Sequence, residues 1–320
     1  MEFLRGAENW ARRHPFTVAG IRVSLLAVRF VQGFSSARVM GLSAEMAYYA
    51  VLSIFPLIGA LGVSLGLLES LIGQAAVDKL EATVIISLHA VFSSAVMSEV
   101  ITPMVQGLLQ QERTGFAVGS FLITLFLASR VFRSAIDTLD SAYRVEERRG
   151  IVSLWSLGLI FSLGAVLTAT TMLSMVVVGP LLGGGRAIAT ALGLGRAFEV
   201  IWALARWPAI FVIAIGFLTV LYRTGPNVRN SWRQALPGAV FGVVALILVA
   251  VGFRLYLETM GVGTLDIRDA DEAVMVAGQV VGAILAALLW LWLSAMAILS
   301  GGVFNAELSR LQHDVPLQKE

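Results

Sequence analysis

Long uncharged runs alternate with short charged stretches along this chain, and each run is long enough to form a helix that crosses a bilayer. Six such spans are expected, at about 44–68, 114–131, 151–178, 200–222, 236–257 and 274–299. A helix rises ~1.5 Å per residue, so about 20 residues cross a hydrocarbon core of ~30 Å. The first span is atypical. It carries Glu45, Tyr48, Tyr49 and Ser53 near its start and Pro56 in its middle. Glu45, Tyr49, Ser53 and Pro56 recur every third or fourth position and therefore share one helix face. Pro56 removes the backbone bond to the Leu52 carbonyl, which bends the helix and leaves an acceptor to be satisfied inside the membrane.

Before this span the pattern changes. From Phe16 to Val39, Arg22, Arg29 and Ser36 fall on one face, and Val18, Ile21, Leu25 and Val28 on another. That predicts an amphipathic helix in the membrane interface, because an arginine costs ~2.5–3.5 kcal/mol at the bilayer centre. The alternative is a helix packed on the end of the bundle. Between the first and second spans, residues 69–113 read as further amphipathic helices. The glycines at 183–185 are followed by Arg186 and Ala187, not the lysine and hydroxyl residue of a phosphate loop, and read as a turn. Four-residue steps of small side chains (Gly238 and Gly242; Gly278, Gly282 and Ala286) predict close helix approach. Pro237 is expected in the first turn of the fifth span.

Composition agrees with this pattern. The chain is 58 % hydrophobic and 14 % charged, with a mean hydropathy of +0.84, which describes a multi-span membrane protein. The expected fold is all-α, a single membrane domain over 1–320. It has an interfacial N-terminal segment at 1–43 and a tail at 300–320. There is no cysteine, so disulfides and thiolate metal sites are excluded. The three histidines, His14, His89 and His313, form no HxxH or HExxH pattern. No catalytic residue, cofactor or metal is expected.

The distribution of charge gives an orientation. Sixteen of the 23 basic residues lie in the N-terminal segment, the second-to-third and fourth-to-fifth connections and the C-terminal tail. This bias places both termini in the cytoplasm. It also accounts for the basic balance without a nucleic-acid partner. Membrane lipids are the expected partners, with a second copy of the chain left open. Arg133, Asp137, Arg206 and Asn305 lie close to predicted membrane boundaries, where ionisable and polar groups often mark a pathway.

Four stretches carry a resemblance: LSAEMAYYAVLSIFP (Leu42–Pro56), FRSAIDTLDSAYRV (Phe132–Val145), LYRTGPN with RQALPGA (Leu221–Ala239), and ALLWLWLSAMAILSGGVFNAEL (Ala287–Leu308). In this order they resemble the YihY/virulence factor BrkB family of bacterial inner-membrane proteins. The family pattern has a glutamate where Val303 stands and Tyr-Gly where Ala277-Gly278 stands, so a role for that glutamate does not transfer. The resemblance implies a six-span protein of the cytoplasmic membrane, some of whose relatives are linked to envelope integrity. The family has also carried the label of a tRNA-processing ribonuclease. A metal-dependent nuclease needs clustered carboxylates or histidines. Asp137 and Asp140, set among Arg130, Arg133 and Arg144, read better as helix-end ion pairs.

Two functions therefore stand beside each other. The bent polar first span suggests transport or export of a lipid or small solute. Phe132-Arg133 and Phe253-Arg254, closing spans two and five on opposite sides, are placed as an inverted repeat would place them. If instead Glu45 and the tyrosines only join helices, the protein is an envelope-integrity or assembly factor.

Overall fold

The computed structural model describes residues 16–18, 21–53, 114–173, 196–228, 230–260 and 272–314, together with residues 11, 13 and 175. Pro56, the 69–113 connection, the 183–185 glycines and most of the first span lie outside the described residues.

Among the described residues the fold is all-α, with seven helices. They are α1 (Val23–Ser36), α2 (39–53), α3 (Thr114–Tyr143), α4 (Ile151–Leu173), α5 (Arg196–Thr224), α6 (Trp232–Met260) and α7 (Glu272–Asp314). A small antiparallel pair, β1 (Thr17–Val18) with β2 (Ile21–Arg22), precedes α1. Four segments are long and apolar enough to cross a membrane: Ile151–Met172, Leu204–Thr224, Trp232–Thr259 and Val281–Gln312. They cover the third to sixth predicted runs, and the run at 114–131 lies on α3. Their apolar side chains point largely outwards. Val152 and Leu167 on α4 are 80 % and 70 % exposed, which suits contact with lipid chains and not with water. The chain is a polytopic membrane protein.

The described residues form two compact units. One comprises 1–45, 132–249 and 294–320. Its core joins Ile136 and Leu139 of α3, Phe161 of α4, Leu218, Leu221 and Tyr222 of α5, and Ala235, Ala239 and Val243 of α6. Phe132 lies within aromatic contact of both Phe161 (5.8 Å) and Phe217 (6.1 Å). The C-terminal part of α7 adds Leu299, Val303 and Ala306, all nearly fully buried. Helix α7 thus runs on well past 299, through the stretch expected as a tail.

Helix α1 belongs to this unit and packs on the end of the bundle. Leu25 and Leu26 meet Leu308 and Leu311, and Phe30 makes edge contacts with Phe241 and Phe304, which stack on each other at 4.5 Å. Val31 remains 54 % exposed on α1.

The second unit comprises 46–131 and 250–293. In it Phe253 of α6 lies 5.3 Å from Trp290 of α7. These two rings, with Ala250, Arg254, Leu257 and Glu258, line an open, mostly apolar depression of about 430 Å³. Arg254 and Glu258 pair across one turn at 2.8 Å, as their four-residue spacing predicts.

Candidate functional site

Helix α6 begins earlier than its proline suggests. Ser231 and Gln234 form a capping box: the Ser231 N–H donates to Gln234 Oε1 (2.9 Å), and the Gln234 N–H donates to Ser231 Oγ (3.3 Å). The helix therefore starts at Trp232, and Pro237 falls in its second turn, not its first. The next residue, Gly238, sends its N–H to Asn305 Oδ1 on α7 at 3.1 Å. Asn305 is fully buried, and its amide nitrogen donates to Tyr143 Oη on α3 at 2.7 Å. One side chain thus joins three helices. Alongside it, Tyr222 of α5 donates to the Ile298 carbonyl of α7 at 2.5 Å.

These contacts require backbones to approach closely. A Cβ on Gly301 would lie 2.6 Å from the Gly238 carbonyl and 3.0 Å from the Gly242 Cα. One on Gly242 would lie 2.8 Å from the Tyr222 hydroxyl. The predicted Gly238/Gly242 face is therefore in use, against Gly301 and Asn305 of α7. A Cβ on Gly278 or Gly282 would meet nothing within 4 Å, so the small residues there do not mark a crossing among the described residues.

Below this crossing lies a charged cluster. Helix α3 ends at Tyr143 with Arg144 in the left-handed conformation (φ 56°). The Val145 N–H returns to the Asp140 carbonyl at 3.0 Å, which is how a chain reverses at a helix end, usually with glycine in that place. The reversal brings Arg149 back towards Asp140. Arg149 donates to the Gly225 carbonyl (2.6 Å) and the Thr224 carbonyl (3.3 Å) at the end of α5, and pairs with Glu147 at 2.8 Å. Asp140 Oδ1 accepts from the Asn227 N–H at 2.6 Å, and Oδ2 lies 4.0 Å from Arg149. Burial raises the Asp140 carboxyl to about 6, helped by Glu147 and opposed by the Asn227 N–H and Arg149. Glu147 moves the other way: burial pushes its carboxyl up, but the Arg149 bonds outweigh that and hold it below the usual range. Burial also raises the Tyr143 phenol, against hydrogen bonds from Asn305 and Asn230. Asp140 therefore pairs with the following loop, and not with the arginines of its own helix that the sequence suggested. On α7, Glu307, 2 % exposed, pairs with Arg310, which donates to the Ala142 carbonyl at 2.5 Å.

The residues singled out from sequence are dispersed. Glu45 is half-buried and Tyr48 exposed. Tyr49 accepts a hydrogen bond from Arg130 Nη2 at 3.2 Å, and the same guanidinium sits 5.2 Å from the centre of its ring. Ser53 turns back to the Ala50 carbonyl of its own helix at 2.7 Å. Arg133 stacks on Trp155 at 5.1 Å and Arg206 on Trp207 at 5.4 Å. Asp137 is exposed. Of the boundary residues, only Asn305 is at the crossing. Tyr143, Tyr222 and Asn227 were missed as individual residues, although each lies inside the stretches that carry the family resemblance. Three of those stretches converge in one unit.

An inward-turned polar crossing among outward-facing apolar helices defines an integral membrane protein. The comparisons agree. The family model described as Virulence factor BrkB matches residues 30–320, and the chain belongs to that family. A Bacillus subtilis (strain 168) protein described as "Putative ribonuclease-like protein YfkH" is 26 % identical over 268 residues, covering 84 % of this chain and 89 % of that one. No solved structure matches the chain.

Proposed function

We propose that the protein is a six-span protein of the bacterial cytoplasmic membrane, with both termini in the cytoplasm, that moves a lipid or small solute across the bilayer. The observation that carries this reading is the Arg130–Tyr49 pair. Arg130 is a guanidinium at the end of an apolar run, held by an aromatic face and a phenol, and its Nε has no hydrogen-bond partner among the described residues. A cation at such a position, held by an aromatic ring and its hydroxyl, is suited to meeting an anionic group such as a phosphate.

The test is reconstitution into proteoliposomes, with transbilayer movement of a fluorescent phospholipid and of small anions followed in parallel. Arg130→Gln and Tyr49→Phe are expected to slow the transported species at least tenfold, with folded protein retained. Tyr48→Phe, on the exposed neighbour, is expected to leave the rate unchanged. Full rates in both site variants would remove the assignment.

The second reading is a non-transporting envelope-integrity or assembly factor. It is favoured by Ser53, whose hydroxyl bonds back within its own helix. The name of the Bacillus relative raises nuclease chemistry. We read this chain as non-enzymatic, because Asp140 and Glu147, a neighbouring carboxylate pair among the described residues, are engaged by Arg149 and Asn227.

A further inference from the structure

The Asp140 side chain is 7 % exposed. One of its oxygens, Oδ2, is buried without a hydrogen-bond donor, although the other is firmly held by the Asn227 N–H. A buried acceptor left in this state costs roughly 1–3 kcal/mol. Two carboxylates and one guanidinium meet here, since Glu147 lies within hydrogen-bonding reach of Asp140 and pairs with Arg149. We infer that Asp140, Glu147 and Arg149 form a binding site for a single proton that ties the α3–α4 loop to the α5–α6 loop. The proton comes from water and goes onto Asp140 Oδ2, which then donates to Glu147. Net charge in the cluster rises from −1 to 0, and the one unpaired oxygen gains a partner.

The groups that face Asp140 are Glu147 and Arg149 from the α3–α4 loop and the uncharged backbone of Asn227 from the α5–α6 loop. Arg149 also holds the Thr224 and Gly225 carbonyls, and Asn227 Nδ2 donates to the Glu146 carbonyl at 3.1 Å. The tie therefore has three strands, and the proton acts on the one that runs through Asp140. The Asp140 carboxyl is raised in the folded state, so the closed tie holds the proton more strongly than an open one. Its stability rises as pH falls through about 6. Glu147 is shifted the opposite way, so the gain is lost again once the solution is acid enough to protonate it. The site responds between these limits, in a range a cytoplasmic carboxylate of ordinary pKa would not cover.

The experiment uses the full chain in lipid nanodiscs. Infrared difference spectra between about pH 8 and about pH 5 should show one carboxylic-acid carbonyl band appearing with a midpoint near 6, absent in Asp140→Asn. Amide exchange in 144–150 and 225–228, corrected for its intrinsic pH dependence, should slow by about tenfold over the same interval in the wild type. It should be slow and pH-independent in Asp140→Asn, whose amide imitates the protonated acid. Glu147→Gln serves as the second variant, and it should also lose the pH response. A band that persists in Asp140→Asn, or loop exchange that changes equally in wild type and both variants, would overturn the site. So would the absence of any carboxyl titrating in that interval.

Discussion

Helix α7 is two helices in environment, though one in backbone. Over 281–293 its apolar side chains are exposed or half-exposed, with Val281 and Leu285 more than half accessible. From 294 onwards the same helix is mostly buried, and it becomes polar and small: Ser300, Gly301, Gly302, Asn305 and Glu307. A soluble protein would place these two compositions the other way round. In a bilayer, apolar burial between helices yields little, since lipid is as apolar as leucine. Close backbone approach and hydrogen bonds between helices carry the association. The contrast says that Leu285 can change freely and Gly301 cannot.

The largest expected effect comes from filling the crossing. Gly301→Leu should prevent the membrane-inserted protein from reaching its folded form, read as loss of a monodisperse peak after solubilisation, because Tyr222 and the α6 backbone at Gly238 and Gly242 already occupy the space. Gly301→Ala should cost roughly 1–3 kcal/mol by the same overpacking. Next comes Asn305→Leu. It leaves the Gly238 N–H and the Tyr143 hydroxyl without their shared partner and should cost about 1–3 kcal/mol in thermal or denaturant unfolding. A smaller loss, about 0.6 kcal/mol, is expected for Tyr222→Phe, which deletes one hydrogen bond to Ile298. At the far end, Leu285→Ala should stay within about 0.5 kcal/mol of wild type. If Leu285→Ala cost as much as Asn305→Leu, the two halves of α7 would not differ as described.

Much of this architecture was legible in sequence. Hydropathy located α4 to α7 because each carries an apolar run long enough to cross lipid, and the Gly238–Gly242 spacing marked a real crossing. The Gly278–Gly282 spacing looked the same and marks none among the described residues, because a small-residue face does not specify a partner. The start of α6 was misplaced because Pro237 is a stronger local signal than a Ser231–Gln234 box, yet the box satisfies the end of the helix. Asn305 was chosen for its position near a boundary, and its tie to Tyr143 and Gly238 spans a separation no local pattern encodes. Asp140 shows the same limit. Its arginine partner was sought among Arg130, Arg133 and Arg144, but Arg149 is the one that approaches it, because Arg144 adopts a conformation that sequence alone does not announce.

The Phe30–Phe241–Phe304 cluster sets an order of events in synthesis. Phe30 leaves the ribosome early, whereas Phe241 and Phe304, the rings it meets on α6 and α7, are made much later. Chains emerge at roughly 5–20 residues per second, so α1 waits for about 10–60 s with Leu25, Leu26 and Phe30 uncovered. During that interval a helix with Arg22 and Arg29 on one side has the membrane surface as its natural resting place. The same helix would thus lie on the bilayer while the protein is being made and close the bundle once α7 arrives.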